Sequence, residues 1–303
     1  MAVEPGAPGK VRALAALALL LNAFTWGVSW WPFRQLQDQG VHPLWSTALI
    51  YCFALVCLLA LRTGAWRAFG QHAGLWVLLV AAGLTNVGFN WAVTVGDVVR
   101  VVLLFYLMPA WVVLLAWPLL GERPTSASLL RLALALAGVL VVLKTPDSPW
   151  PWPHTLADGL AVMGGFAFAL TNILLRRLQG VPTTACMLAM FGGGALMAAL
   201  AALLGMQYGL VGSLPAPTQS WLTWVGVLSV FFLVGNVGLQ YGAARLSAST
   251  TSIIMLSEVV FASTSAVLLG AGELNLRVVL GGSLIFLAAI LSTVSFRAAT
   301  SGT

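Results

Sequence analysis

Charge is what this chain of 303 residues lacks most. Only 7% of it is Asp, Glu, Lys or Arg, against about 25% in soluble domains. Fourteen basic and eight acidic residues, 14 and 8 of 303, are too few to solvate a soluble surface of that size. Lysine is reduced to Lys10 and Lys144. Gly9-Lys10 is followed by Val11 where a phosphate loop needs Ser or Thr, so nothing supports an ATP-driven mechanism. His42, His72 and His154 are far apart and near span ends, which gives no metal cluster. No cofactor is called for. Cys52, Cys57 and Cys186 all lie within apolar runs; they imply no disulfide framework and read as small buried residues. The net charge of +6 is spread over loop ends rather than clustered, which argues against nucleic acid as a partner.

What the chain has instead is hydrophobic length. Hydrophobic residues make up 60% of it and the mean hydropathy is +0.98. Apolar runs of about 20 residues, the length that spans a bilayer, recur at roughly 12–31, 43–61, 73–94, 98–120, 126–144, 156–175, 183–204, 220–242, 247–270 and 277–296. Gly205–Ser220, with Pro215, Pro217, Gln207 and Gln219, divides the uncharged stretch 178–244 into two of them. Runs this continuous do not alternate as porin strands do. Backbone groups in hydrocarbon must be satisfied within helices. The expected fold is therefore all-α, a polytopic bundle of ten transmembrane helices whose one obligatory partner is the lipid bilayer. The first run follows Lys10 and Arg12 and is too long for a signal h-region, so it reads as an uncleaved span. With an even number of spans both termini share a side. That side collects Lys10, Arg12, Arg62, Arg67, Arg123, Arg131, Arg176, Arg177, Arg245 and Arg297, and the other has Arg34, Arg100, Lys144 and Arg277. The positive-inside rule then makes both termini cytoplasmic.

The second half of the chain echoes the first. Phe24-Thr-Trp26-Gly-Val-Ser29 through Arg34-Gln-Leu36-Gln37 lies against Phe166-Ala-Phe168-Ala-Leu-Thr171 through Arg176-Arg-Leu178-Gln179 without a gap. Asn86-Val-Gly88-Phe-Asn90-Trp91 lies likewise against Asn236-Val-Gly238-Leu-Gln240-Tyr241, and Gly121-Glu122 against Gly272-Glu273. Five spans per copy is an odd number, so the copies are expected to be inverted. The division is a tail 1–11, a first five-helix repeat 12–145, a second 155–297 and a tail 298–303. Inverted repeats are an architecture of secondary transporters, with the substrate site near the midplane between the halves.

At these residues the chain resembles the EamA branch of the drug/metabolite transporter superfamily. Pro109 stands thirteen residues before Glu122, as in the family's pattern of a proline in span four and a closing Gly-Glu. Leu256-Ser-Glu258-Val-Val-Phe261 resembles the family's Leu-Glu-Pro-Val-Phe, but Val259 replaces the proline, which predicts a straighter ninth helix. Within that branch the length, the tryptophan-rich first span and the Glu-Arg-Pro-Thr step after span four are similar to the YddG-type exporters of aromatic amino acids. The resemblance implies export of amino acids and related small metabolites across a bacterial inner membrane. The expected assembly is a monomer or weak homodimer.

Polar residues inside the spans are the candidate substrate-binding set. Glu258 is the one charged residue of Thr250–Leu269. A carboxylate in such a stretch usually marks a pathway, a partner or a proton site. Three readings stand for it: a proton acceptor, a partner for a substrate ammonium, or a neutral acid hydrogen-bonded in the bundle. Asn86 and Asn90 share a helix face, as do Asn236 and Gln240; they line a cavity or they join helices. Asn22 and Trp26 on span one match Asn172 and Phe168 on span six, an amide with an aromatic face, suited to a ligand with a ring and a polar end. Trp91, Tyr106 and Tyr241 complete the set. Core packing is the competing reading for Trp26. Asp97 and Asp158 read as helix caps and Arg100 as an exposed helix-end charge, with attraction of a substrate carboxylate as its second reading. Spans five and ten, poor in polar residues, are expected at the lipid face or a dimer contact. A membrane-embedded enzyme would need a polar triad, paired acids or a metal set at one depth, and only Glu258 is available.

Overall fold

A computed structural model describes residues 9–61, 64–121, 125–143, 153–178, 180–243, 245, 254–255, 257–271 and 275–300. Among the described residues there is no strand. The helices are α1 (Gly9–Val28), α2 (Trp30–Asp38), α3 (Pro43–Leu61), α4 (Gly74–Val95), α5 (Val98–Phe105), α6 (Met108–Leu120), α7 (Ser126–Leu143), α8 (Leu156–Arg177), α9 (Thr183–Gln207), α10 (Gln219–Ala243), α11 (Ser257–Leu268) and α12 (Leu276–Thr300). Seven described stretches are long and apolar enough to cross a bilayer. They match the expected spans one to four and six to eight. Spans five and nine fall partly on residues outside the described set, as do Glu122, Lys144 and Glu273, and span ten lies within α12, whose apolar stretch Val279–Ala288 is shorter than a full span.

Two spans are broken, and proline chemistry explains both. The first runs from Ala13 to Asp38, longer than the sequence reading of 12–31, and is interrupted at Ser29. Pro32 has no amide hydrogen for the carbonyl of Val28, so the ladder opens there. Ser29 Oγ donates to Trp26 O at 2.9 Å and bridges the gap. The fourth span breaks at Tyr106–Leu107, where Leu107 N reaches Leu104 O at 3.2 Å in a tightened turn. Pro109 cannot donate to Phe105 O, and that freed carbonyl becomes a packing point. A Cβ on Gly165 of α8 would stand 2.5 Å from it, so only glycine lets α8 approach so closely. At 1.5 Å per residue the break lies about 12 Å from the Val98 end.

α4 is the most buried span and packs on α8 and α9. α1 packs on α10 and α11, α3 on α9 and α10, and both α5 and α6 on α8. α7 and α12 pack on each other, with Gly138 so close to Gly281 O that a Cβ would meet it at 2.6 Å. The principal core joins Phe89, Val101, Leu104, Phe105, Ala161 and Ala266 from α4, α5, α8 and α11. Leu14, Leu17, Trp117, Leu200, Leu203 and Leu204 are exposed on outer faces, the arrangement of a bundle whose solvent is lipid. Burial of the cysteines holds for Cys186 alone; Cys52 is exposed and Cys57 half-buried, both on α3.

Candidate functional site

Glu258 lies near the start of α11, after the helical residues Ile254 and Met255. The side chain is buried, and its Oε2 accepts a hydrogen bond from Tyr106 Oη at 3.1 Å. Tyr106 reaches it from the C-cap of α5, with its own N–H still bonded to Val102 O at 3.0 Å. The same hydroxyl lies 3.5 Å from Met255 O. α1 closes one side: a Cβ on Gly27 would stand 2.8 Å from Glu258 O and 2.7 Å from Phe261 Cβ. Trp30 adds a tie from α2 to α11, its Nε1 donating to Ser265 Oγ at 2.9 Å. Two residues beyond Tyr106, Met108 opens α6, and its Sδ accepts from Asn172 Nδ2 of α8 at 3.7 Å. Asn172 Nδ2 also donates to Phe168 O at 2.9 Å. One chain of contacts therefore crosses the molecule from α11 through the broken span to α8.

Asn22 is a second polar feature. It is 1% exposed, lies where α1 crosses α10 beside Gly235, and neither amide atom has a hydrogen-bond partner. Burying such a group unpaired costs about 1–3 kcal/mol.

The other expected residues are occupied locally. Asn86 accepts from Tyr51 Oη and donates to Ala82 O at 2.8 Å. Asn90 donates to Thr47 Oγ1 at 3.1 Å, with its Oδ1 buried and unpartnered. Both amides thus fasten α4 to α3, the interhelical reading. Asn236 donates within its own helix to Phe232 O at 3.0 Å. Trp26 packs edge-on between Phe89 and Phe232, at 5.8 and 4.7 Å between centroids. Trp91 packs against the His42 ring at 5.1 Å. Tyr241 has the Arg245 guanidinium 3.7 Å over its ring. Gln240 belongs to α10, and its side chain lies outside the described set. Sequence reasoning missed Met108, Tyr51 and Ser265. The signal for Met108 was present, since the register that sets Asn86 against Asn236 also sets Met108 against Glu258.

A charged cluster joins the helix ends on the Arg100 side. Asp97 caps α5, its Oδ1 accepting from Arg100 N at 2.7 Å, as expected. Asp158 forms a capping box with Thr155 and also takes a two-pronged ion pair from Arg100, 2.8 Å from Nε and 3.0 Å from Nη2. Arg100 is therefore not an exposed end charge: its side chain is 20% accessible and that of Asp158 is 2%. Arg34 donates from Nη2 to Gly96 O and lies 5.1 Å over the Trp30 ring. The ends of α2, α4, α5 and α8 are joined by these bonds.

A bundle that is all-helical among the described residues, with seven stretches able to cross a bilayer and apolar outer faces, defines a multi-pass membrane protein. Residues 13–144 match the model of the EamA-like transporter family. A relative from Streptantibioticus cattleyicolor, described as a probable terminal-alkyne amino-acid exporter, is 30% identical over 252 residues, covering 80% of this chain and 81% of its own. A protein of known crystal structure has the same fold, with a TM-score of 0.57 at 20% identity over 94% of this chain and 98% of that one. The chain belongs to the EamA-like transporter family, within the drug/metabolite transporter superfamily. It is a transporter and not an enzyme.

Proposed function

We propose that the protein is a secondary carrier of small metabolites that exports amino acids, aromatic ones preferred, across the bacterial inner membrane by alternating access. The carrying observation is the buried Glu258 carboxylate, held by Tyr106 beside the interruption of the fourth span. It supplies an acceptor for an ammonium group or a proton inside an apolar bundle. Amino-acid export is also what the bacterial relative's description says of that protein. The substrate-binding set is Glu258, Tyr106, Asn22 and Asn172, with Trp26, Asn86, Asn90, Trp91, Asn236, Gln240 and Tyr241 as the surrounding polar and aromatic shell.

Ten spans in two inverted repeats, 12–145 and 155–297, with both termini cytoplasmic, form the framework of this reading. Its support is a set of matched contacts. A Cβ on Gly88 would stand 2.7 Å from Leu160 O, and a Cβ on its repeat counterpart Gly238 would stand 2.7 Å from Ala18 O, the counterpart of Leu160. Trp111 meets Phe166 at 5.6 Å and 82°, while their counterparts Phe261 and Phe24 meet at 5.4 Å and 86°. The α4–α8 crossing and the α10–α1 crossing are thus alike in register. Rocking about such paired crossings exposes a central guest to one side and then the other.

Counterflow in vesicles of purified protein, with labelled amino acids, purines and organic cations, tests the substrate class. Phe, Trp or Tyr should exchange fastest, and Glu258→Gln should abolish that exchange or its pH dependence. Equal rates for aliphatic and aromatic solutes would reject the aromatic preference. Preferred exchange of a purine or cation would favour the second reading, a carrier of another small solute in the same superfamily.

A further inference from the structure

The two halves differ at the point where a guest would be read. In the register supported by the Gly88 and Gly238 crossings, Glu258 falls opposite Met108. The repeat register therefore pairs a carboxyl group with a thioether. Met108 opens the second segment of the broken fourth span, and Glu258 lies near the start of α11. Tyr106 and Met108 flank the same break and serve opposite sides, the first bonded to Glu258 and the second to Asn172. The Glu258 side is acidic and hydrogen-bonded to Tyr106. The Met108 side is half-buried, polarisable and weakly bonded, because a thioether is a poor acceptor for the Asn172 N–H. Aromatic rings back it: Phe105 lies 5.5 Å from Phe168, whose carbonyl takes the other bond of Asn172.

We propose that Met108 and Asn172 form the side-chain subsite of the carrier, so that a guest lies across the molecule with its ammonium at Glu258 and its side chain at Met108. This rests on the amino-acid reading above. Met108 has three rotatable bonds and fills irregular gaps, so it adapts to unsaturated and aromatic side chains of different length. A guest π-face takes up the Asn172 N–H that sulfur holds only weakly. The subsite is apolar apart from that amide, so a charged side chain is disfavoured there. Met108 sets which side chains are carried, and Glu258 sets that an amine is carried.

The test is competition in a counterflow assay, with labelled Phe as the reporter and unlabelled Trp, Phe, Leu, Ala and Glu as competitors. Met108→Ala opens the subsite and should raise the Trp-to-Ala preference about tenfold, the scale on which a hydrophobic pocket discriminates size. Met108→Leu keeps the volume and loses the sulfur. It serves if the alanine variant does not fold, and should weaken Trp and Phe relative to Leu. An unchanged rank order in a folded variant that still exchanges Phe overturns the assignment of Met108 and leaves the amino-acid reading intact. Failure of the wild-type protein to exchange any amino acid removes the amino-acid reading, and this inference with it. Loss of exchange in Glu258→Gln for every amino acid alike, beside a changed order in Met108→Ala, is the result expected of separate ammonium and side-chain subsites.

Discussion

Replacing either member of the Arg100–Asp158 pair should destabilise the bundle by unequal amounts. The Asp158 side chain is 2% exposed, whereas that of Arg100 is 20% exposed. Arg100→Gln leaves a carboxylate that cannot reach water. Breaking a buried pair this way costs about 3–5 kcal/mol. Asp158 keeps backbone donors, His154 N at 3.2 Å and Thr155 N at 3.4 Å, so the lower end, about 3 kcal/mol, is expected. Asp158→Asn keeps an oxygen for those donors and takes the carboxylate from a cation that does have some access to solvent. Its cost should be smaller, about 1–2 kcal/mol. The double variant should cost less than the two together, with a coupling energy of about 1–3 kcal/mol for groups in direct contact. Reversible unfolding in mixed detergent and SDS micelles reads all four proteins. Equal single effects, or additivity within about 0.5 kcal/mol, would refute the claim that burial of Asp158 governs this end. The same pair joins α5 to α8, so its loss should also raise modification of a cysteine placed at Ala161, buried on α8 near that end.

Gly88→Ala and Gly238→Ala should each cost about 1–3 kcal/mol of stability by overpacking, because each new Cβ would meet a carbonyl at 2.7 Å. A large effect at one and none at the other, by thermal unfolding, would break the equivalence of the two crossings. Tyr106→Phe removes the hydroxyl that bonds Glu258 and should reduce exchange in vesicles by less than Glu258→Gln does; a larger loss than Glu258→Gln would mean that Tyr106 contacts the guest itself. Burial pushes the His42 imidazole below its ordinary value near 6.5, and its Nδ1 accepts from Leu44 N at 3.2 Å at the start of α3. A depressed histidine favours the neutral ring, so its contribution is complete above about pH 6.5 and falls as acid carries the pH through the folded-state value. His42→Asn should flatten the decline in melting temperature from pH 6.5 downward, and an unaltered decline would exclude His42 as its source.

Composition and the length of the apolar runs were enough to establish an all-helical membrane protein, because hydrocarbon leaves the backbone few other choices. The repeated strings Asn86–Trp91 and Asn236–Tyr241 fixed a register in which Gly88 and Gly238 later proved to occupy like crossings. Glu258 stood out for a similar reason, as a charge where charge is costly. Helical periodicity places a side chain at a depth and on a face, but it does not say which helix that face meets. Asn86 and Asn90 share a face as expected, yet α3 supplies their partners Tyr51 and Thr47, so they act as fasteners. Arg100 and Asp158, 58 positions apart, looked like two separate helix-end charges until packing brought the start of α5 against the start of α8. Tyr106 meets Glu258 from the C-cap of α5, three residues before Pro109, whose missing donor leaves Phe105 O free. The missing donor is written in the chain; the direction in which the opened turn points is set by the neighbours packed around it.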